Sequence, residues 1–208
     1  MSTENQSAFD YRKYWEDNYA SGGNSGRGSY GVLALFKAEV INAYIKEQQV
    51  KSVIEFGCGD GNQLLFMKYE NYVGLDISPT SVQMCARMFG KDSSKSFFLY
   101  HPKSFYNQGY LKSDLVVCLD VLYHITDEED FEKTLDDIFS CANKHVILYT
   151  KVTNGTEPQI VDMIKDRDIL RYLKKYNDFS ITRKIEQKYP DLSSASFLIL
   201  EKNPPTAT

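Results

Sequence analysis

Short apolar runs alternate along the chain with longer segments whose apolar residues recur every three or four positions, so strands and helices take turns. Val53, Ile54 and Phe56 form a run suited to a strand buried on both faces, and residues 72–75, 97–100, 114–119 and 146–150 read as further strands. Residues 179–188 and 196–202 read as a closing antiparallel pair. The clearest helix covers 32–48, where Leu33, Phe36, Val40, Ile41, Tyr44 and Ile45 share one face. Others are predicted over 9–19, 63–69 and 168–176, and over 78–89 with Ser78 as N-cap and Pro79 in the first turn. A Thr126/Glu129 capping box opens one more helix that runs to about Asn143. Alternation of this kind predicts an α/β domain.

Two segments resist this reading. Residues 21–31 are rich in glycine and serine and cannot form a stable regular element. They make either a disordered linker or a glycine-hinged lid that carries Arg27 and Tyr30 over a pocket. Residues 151–165 contain Asn154-Gly155 and Pro158 and are read as facing substrate rather than as a helix.

The candidate chemistry gathers where the first strand ends, in Gly57, Gly59 and Gly61. A strand that stops in alternating glycines lets backbone approach a ligand closely and is read as presenting main-chain N–H groups to it. The spacing departs from G-x-G-x-x-G, because Asn62 stands where the third glycine belongs, so a pyrophosphate cradle is disfavoured. Glu55 at the strand tip would repel a pyrophosphate and attract an ammonium group. Asp76, at the tip of the next strand, stands where nucleoside-binding α/β folds put the acid that accepts ribose hydroxyls.

At these residues, E-F-G-C-G-D-G followed by G-L-D-I-S, the chain resembles the cofactor half of the class I S-adenosylmethionine-dependent methyltransferases, over roughly residues 35–202. The resemblance implies a Rossmann-like, mostly parallel sheet of seven strands in the order 3-2-1-4-5-7-6, strand 7 antiparallel, with helices on both faces. It implies S-adenosylmethionine as cofactor, held by Glu55, Gly57, Cys58, Gly59, Asp76, Ile77 and Asp120. In that family an acid often follows the third strand and touches adenine; here His101 and Pro102 stand there, leaving the role to His101 or to backbone.

Composition narrows the partners. A chain of 208 residues suits a single domain over 1–208, with 1–31 as an N-terminal helix and lid. The net charge of −4 and the absence of a basic block argue against a nucleic acid partner. Cys58, Cys85, Cys118 and Cys141 are widely spaced, without a C-x-x-C pair, so neither disulfides nor a metal site is expected, as suits reduced thiols in the cytoplasm. No signal stretch or membrane span is read, and nothing fixes an oligomeric state.

Methyl transfer needs a nucleophile held in line and, for an alcohol, a group to take its proton. His124, just past the fourth strand, is the candidate base, with Asp120 as a second catalytic candidate; the plainer reading is that His124 only packs. Asp120-Val121-Leu122-Tyr123 lacks the Pro-Pro turn of the enzymes that methylate base nitrogens, and the length leaves no room for the extra domain usual in protein methylases. A small-molecule acceptor remains, a phosphorylated or nucleotide-linked sugar among the candidates, with O-methylation favoured. Tyr30 and Tyr123 are expected to line its site, and Arg27, Arg167 and Arg171 would suit a phosphate or carboxylate on it. The alternatives are a protein or small-amine N-methyltransferase and a non-catalytic cofactor-binding module.

Overall fold

The computed structural model describes residues 9–153 and 161–204. Seven strands form one sheet in the order β3-β2-β1-β4-β5-β7-β6, where β1 is Ser52–Phe56, β2 Asn71–Asp76, β3 Lys95–Leu99, β4 Ser113–Leu119, β5 Ala142–Lys151, β6 Phe179–Ile185 and β7 Ala195–Lys202. The first five run parallel, and β7 runs antiparallel to both β5 and β6. This is the order and the sense that the resemblance implied.

Period-2 alternation divides the core into two layers. Ile54, Phe56, Val116, Cys118, Val146 and Leu148 face helix α4 (Glu128–Cys141), with Phe131, Leu135 and Ile138 against them. Val53, Leu115, Val117, Ile147 and Tyr149 face helix α2 (Gly31–Gln48), which contributes Phe36, Ile41 and Tyr44. Ile41 is fully buried, so Ile41→Ala should cost about 2–5 kcal/mol. Because Glu55 alternates with Ile54 and Phe56, it points into the α2 layer, two residues on from Val53. That register brings a carboxylate toward whatever α2 buries.

Several boundaries differ from the sequence reading, each for a local reason. The helix expected over 63–69 is a single 3-10 turn, Gln63–Phe66. Asn42 of α2 takes over from it, donating to Phe66 O and accepting from Lys68 N, and the chain turns extended toward β2. Asp127, not Thr126, caps α4, accepting from Asp130 N at 2.9 Å, and the helix passes directly into β5 at Ala142, so the strand begins four residues before the expected 146. Helix α1 is Tyr11–Ala20, capped by Asp10. Helix α3 is Pro79–Met88, with Ser78 capping it as expected. Helix α5 is only Ile169–Leu173, and β6 stops at Ile185 rather than 188. All four cysteines are free and buried, and no described helix is long and apolar enough to cross a membrane. Asn154-Gly155 and Pro158 lie outside the described residues.

Candidate functional site

A cleft of about 830 Å³, counting its open mouth, lies over the C-terminal tips of β1, β2 and β4. Its floor is the glycine turn. Gly57, Gly59 and Gly61 all have positive φ (84°, 57° and 81°), and a Cβ at Gly57 would meet Val121 at 2.2 Å, so only glycine fits there.

The expectation that this turn offers its amides to a ligand is corrected, because they already have partners. Gly57 N and Cys58 N donate to Leu75 O (2.7 and 3.1 Å), Gly59 N to Asp76 Oδ2 (2.8 Å), and Asp60 N to Ser25 Oγ (2.8 Å). Asn62 N turns back to Asp60 Oδ1. An anion would find few donors here. What faces the cleft instead is a set of acceptors.

Three carboxylates supply most of them. Asp76 is buried and accepts from Gly59 N and Ser78 N, and its desolvation pushes it up to about 6 against those hydrogen bonds. Glu55 is also buried; burial pushes it up to about 7, and the hydroxyl of Tyr72, donating at 2.6 Å, pulls the other way. Asp120, at the tip of β4, has φ 60°, an unusual conformation outside glycine of the kind that collects at functional sites. Its backbone N–H donates to Tyr149 O, Lys37 Nζ lies 2.7 Å from Oδ2, and Tyr123 donates to Oδ1 at 2.8 Å.

His124 lines the same cleft from the 3-10 turn Leu122–His124. Residues 163–165 buttress that turn: Lys165 N donates to Tyr123 O at 2.8 Å, and Met163 O lies 2.9 Å from His124 Nδ1. Burial holds the imidazole below its ordinary value, against the Met163 carbonyl and the Asp120 charge, which favour the cation.

Helix α1 and the strap of residues 21–31 roof the cleft. Glu16 of α1 reaches across to the start of α3, accepting from Ser78 Oγ (2.5 Å), Thr80 Oγ1 (2.7 Å) and Thr80 N (3.2 Å). Trp15 meets His124 edge-on at 5.1 Å and stacks on Tyr19 at 5.9 Å, which is the surface that the only tryptophan covers. The strap is latched to the turn by Asp60, whose Oδ2 accepts from Ser25 N (2.8 Å) and from the Tyr30 hydroxyl (2.7 Å). Gly28 packs so closely on Asp120 that a Cβ would lie 2.6 Å from Oδ2.

Glu55, Gly57, Cys58, Gly59, Asp76, Ile77, Asp120 and His124 thus share one cleft. The other candidates lie around or away from it. Tyr123 stands behind, bonded to Asp120, and Tyr30 serves the latch. His101 is exposed and bonds Arg12 of α1 at 3.0 Å, while Arg27 is exposed on the strap. Arg167 is buried elsewhere, paired with Glu128 and lying 4.0 Å over the Phe131 ring, and Arg171 is on α5; neither lines the cleft. The sequence reading missed Lys37, Gln63 and Tyr19. Lys37 was visible in principle, since it sits between Leu33 and Ile41 on the apolar stripe of α2, where a charge needs a reason.

A family model described as a methyltransferase domain matches residues 33–185. No curated protein matches the sequence. Among solved structures, the chain is similar to magnesium protoporphyrin IX methyltransferase (ChlM) from Synechocystis PCC 6803 with bound SAH, at 20% identity and a TM-score of 0.67, over 92% of this chain and 98% of that one. It is similar to the N-methyltransferase NodS from Bradyrhizobium japonicum WM9, also in complex with SAH, at 13% identity and 0.71, over 94% and 100%. A third likeness is to the small RNA methyltransferase HEN1, at 16% identity and 0.64, over 88% of this chain and 27% of that one.

Proposed function

The chain belongs to the methyltransferase-domain family, and from that premise we propose that it moves a methyl group from S-adenosylmethionine to a hydroxyl of a small, polar, sugar-like acceptor. The cleft fits such a cofactor on its own chemistry. Among the described residues that line it, Glu55, Asp76 and Asp120 outnumber the cation Lys37, and so favour a positively charged ligand rich in hydrogen-bond donors. S-adenosylmethionine supplies, when bound, an electrophilic methyl on a sulfonium. In this reading Asp76 accepts the ribose hydroxyls, Ile77 and the aromatic residues of α1 cover the base, and Glu55 and Asp120 face the amino-acid end. The strap, acting as a lid, keeps water out.

The observation that carries the hydroxyl reading is the His124 ring. Its Nδ1 is engaged by a carbonyl, its charge is disfavoured by burial, and it lines the cleft beside Asp120, so it is a neutral imidazole with a basic nitrogen to spare. Both oxygens of Asp120 are occupied, by Lys37 and Tyr123, which leaves His124 the better-equipped proton acceptor. As the acceptor oxygen attacks, its proton goes to His124 Nε2. With Arg167 and Arg171 away from the cleft, an acidic group on the acceptor would depend on Arg27. A second reading, methylation of a small amine, is favoured by Trp15 and Tyr19 stacked beside an acidic cleft, a surface that suits a cation.

The test is formation of S-adenosylhomocysteine from S-adenosylmethionine across a panel of sugars, sugar phosphates, nucleotide sugars, amines and short RNAs. Turnover with hydroxyl-bearing small molecules alone supports the proposal. Turnover only with amines or RNA overturns the acceptor, and no cofactor binding overturns the whole reading.

A further inference from the structure

Lys37 and Gln63 sit together where the cleft meets α2, and each has hydrogen-bonding capacity left over. Lys37 is 1% exposed, on the turn of α2 that also buries Ala34, Ala38 and Ile41. A buried ammonium is costly unless its charge and its three N–H groups are answered. Among the described residues the answer is one hydrogen-bonded carboxylate oxygen, Asp120 Oδ2 at 2.7 Å, the face of Tyr149, whose ring centre is 5.3 Å away, and the nearby charge of Glu55. Gln63 is 6% exposed and donates from Nε2 to Ala34 O at 3.0 Å, one helical turn before Lys37. Its Oε1 is buried and has no partner among the described residues. Native proteins seldom leave such an acceptor unmet.

Both side chains line the cleft. We propose that Lys37 and Gln63 form a clamp for the α-amino-acid end of the bound nucleoside. Lys37 directs its spare donors to the carboxylate, and Gln63 Oε1 accepts from the ammonium group. Asp120 and Glu55 supply the anionic surroundings that the ammonium needs. A lone phosphate would not use the orphaned acceptor, and an uncharged ligand would not use the buried cation; a zwitterion uses both. The clamp rests on the cofactor reading above, since S-adenosylmethionine is the ligand whose end it would hold.

Calorimetry with two probes tests it: S-adenosylhomocysteine, and 5′-methylthioadenosine, which keeps the adenosine and the sulfur but lacks the amino-acid end. Wild-type protein should bind S-adenosylhomocysteine more tightly. Lys37→Met and Gln63→Leu should each weaken S-adenosylhomocysteine about ten-fold or more while changing methylthioadenosine by less than about three-fold. Methylthioadenosine binding also reports that each variant is folded; should Lys37→Met fail to fold, Gln63→Leu decides alone. Equal losses for both probes, or unchanged S-adenosylhomocysteine affinity, would overturn the clamp. A wild-type protein that binds neither probe would overturn the cofactor reading, and the clamp with it.

Discussion

His124 Nδ1 lies 2.9 Å from the carbonyl oxygen of Met163, across 39 residues of chain. A carbonyl only accepts, so the imidazole proton belongs on Nδ1, and Nε2 keeps its lone pair. The bond fixes tautomer and ring orientation together.

If His124 is the base proposed above, it acts only when neutral. Since burial lowers the His124 pKa, the rate should be flat at neutral pH and fall as pH drops through an apparent value below about 6.5. His124→Ala should reduce turnover about a hundred-fold to ten-thousand-fold with cofactor affinity nearly unchanged. His124→Asn keeps a polar group of similar reach but cannot serve as a base. If steady-state kinetics find His124→Asn nearly as active as wild type, positioning alone carries the reaction.

If Asp76 accepts the two ribose hydroxyls as proposed, Asp76→Ala removes charge-assisted bonds and should weaken S-adenosylhomocysteine binding by about ten-fold to a hundred-fold. The carboxyl sits at about 6 before ligand arrives, and hydroxyls bind its ionised form better. Affinity in titration calorimetry should therefore be steady above that pH and decline below it. A pH-independent affinity that survives the substitution would remove Asp76 from the site.

Glu55 makes stability depend on pH. Its folded value of about 7 exceeds the ordinary 4.5, so between these the folded chain binds more protons than the unfolded one. The ligand-free protein should lose stability as pH rises from about 5 to about 7 and then level off, by roughly 2–3 kcal/mol from this group. Glu55→Gln keeps a neutral acceptor for the Tyr72 hydroxyl and should flatten that slope in urea melts. An unchanged slope would show that the carboxyl is ionised when buried.

The strap hangs on Asp60, which takes both Ser25 N and the Tyr30 hydroxyl. Asp60→Ala should speed amide exchange across residues 21–31 by about ten-fold or more, since bonds to a charged acceptor are each worth about 1.5–3 kcal/mol. If the strap is a lid, ligand binding should slow exchange there in the wild type. Equal exchange with and without S-adenosylhomocysteine would make the strap a fixed wall.

What could be read from the sequence alone was whatever depends on neighbours in the chain. The apolar runs of β1, β4 and β5, the stripe along α2 and the Ser78-Pro79 start of α3 are short-range patterns, and they were enough for an α/β domain, while the strand order came from the family resemblance of the glycine and Asp76 motifs. Asp76 was legible because a parallel strand delivers its last residue to one edge of the sheet, Glu55 because it stands just before the glycine turn, and Asp120 through the family resemblance. The roof and the ends of the cleft depend on contacts that no local pattern encodes. Lys37 meets Asp120 across 83 residues, Glu16 meets Ser78 across 62, and Ser25 meets Asp60 across 35. The glycine turn shows the division most plainly. Its conformation follows from three glycines, yet its amides face inward rather than toward a ligand because Leu75, Asp76 and Ser25 arrive from elsewhere to take them. Only the packed chain, where every buried N–H must find an acceptor, could decide that.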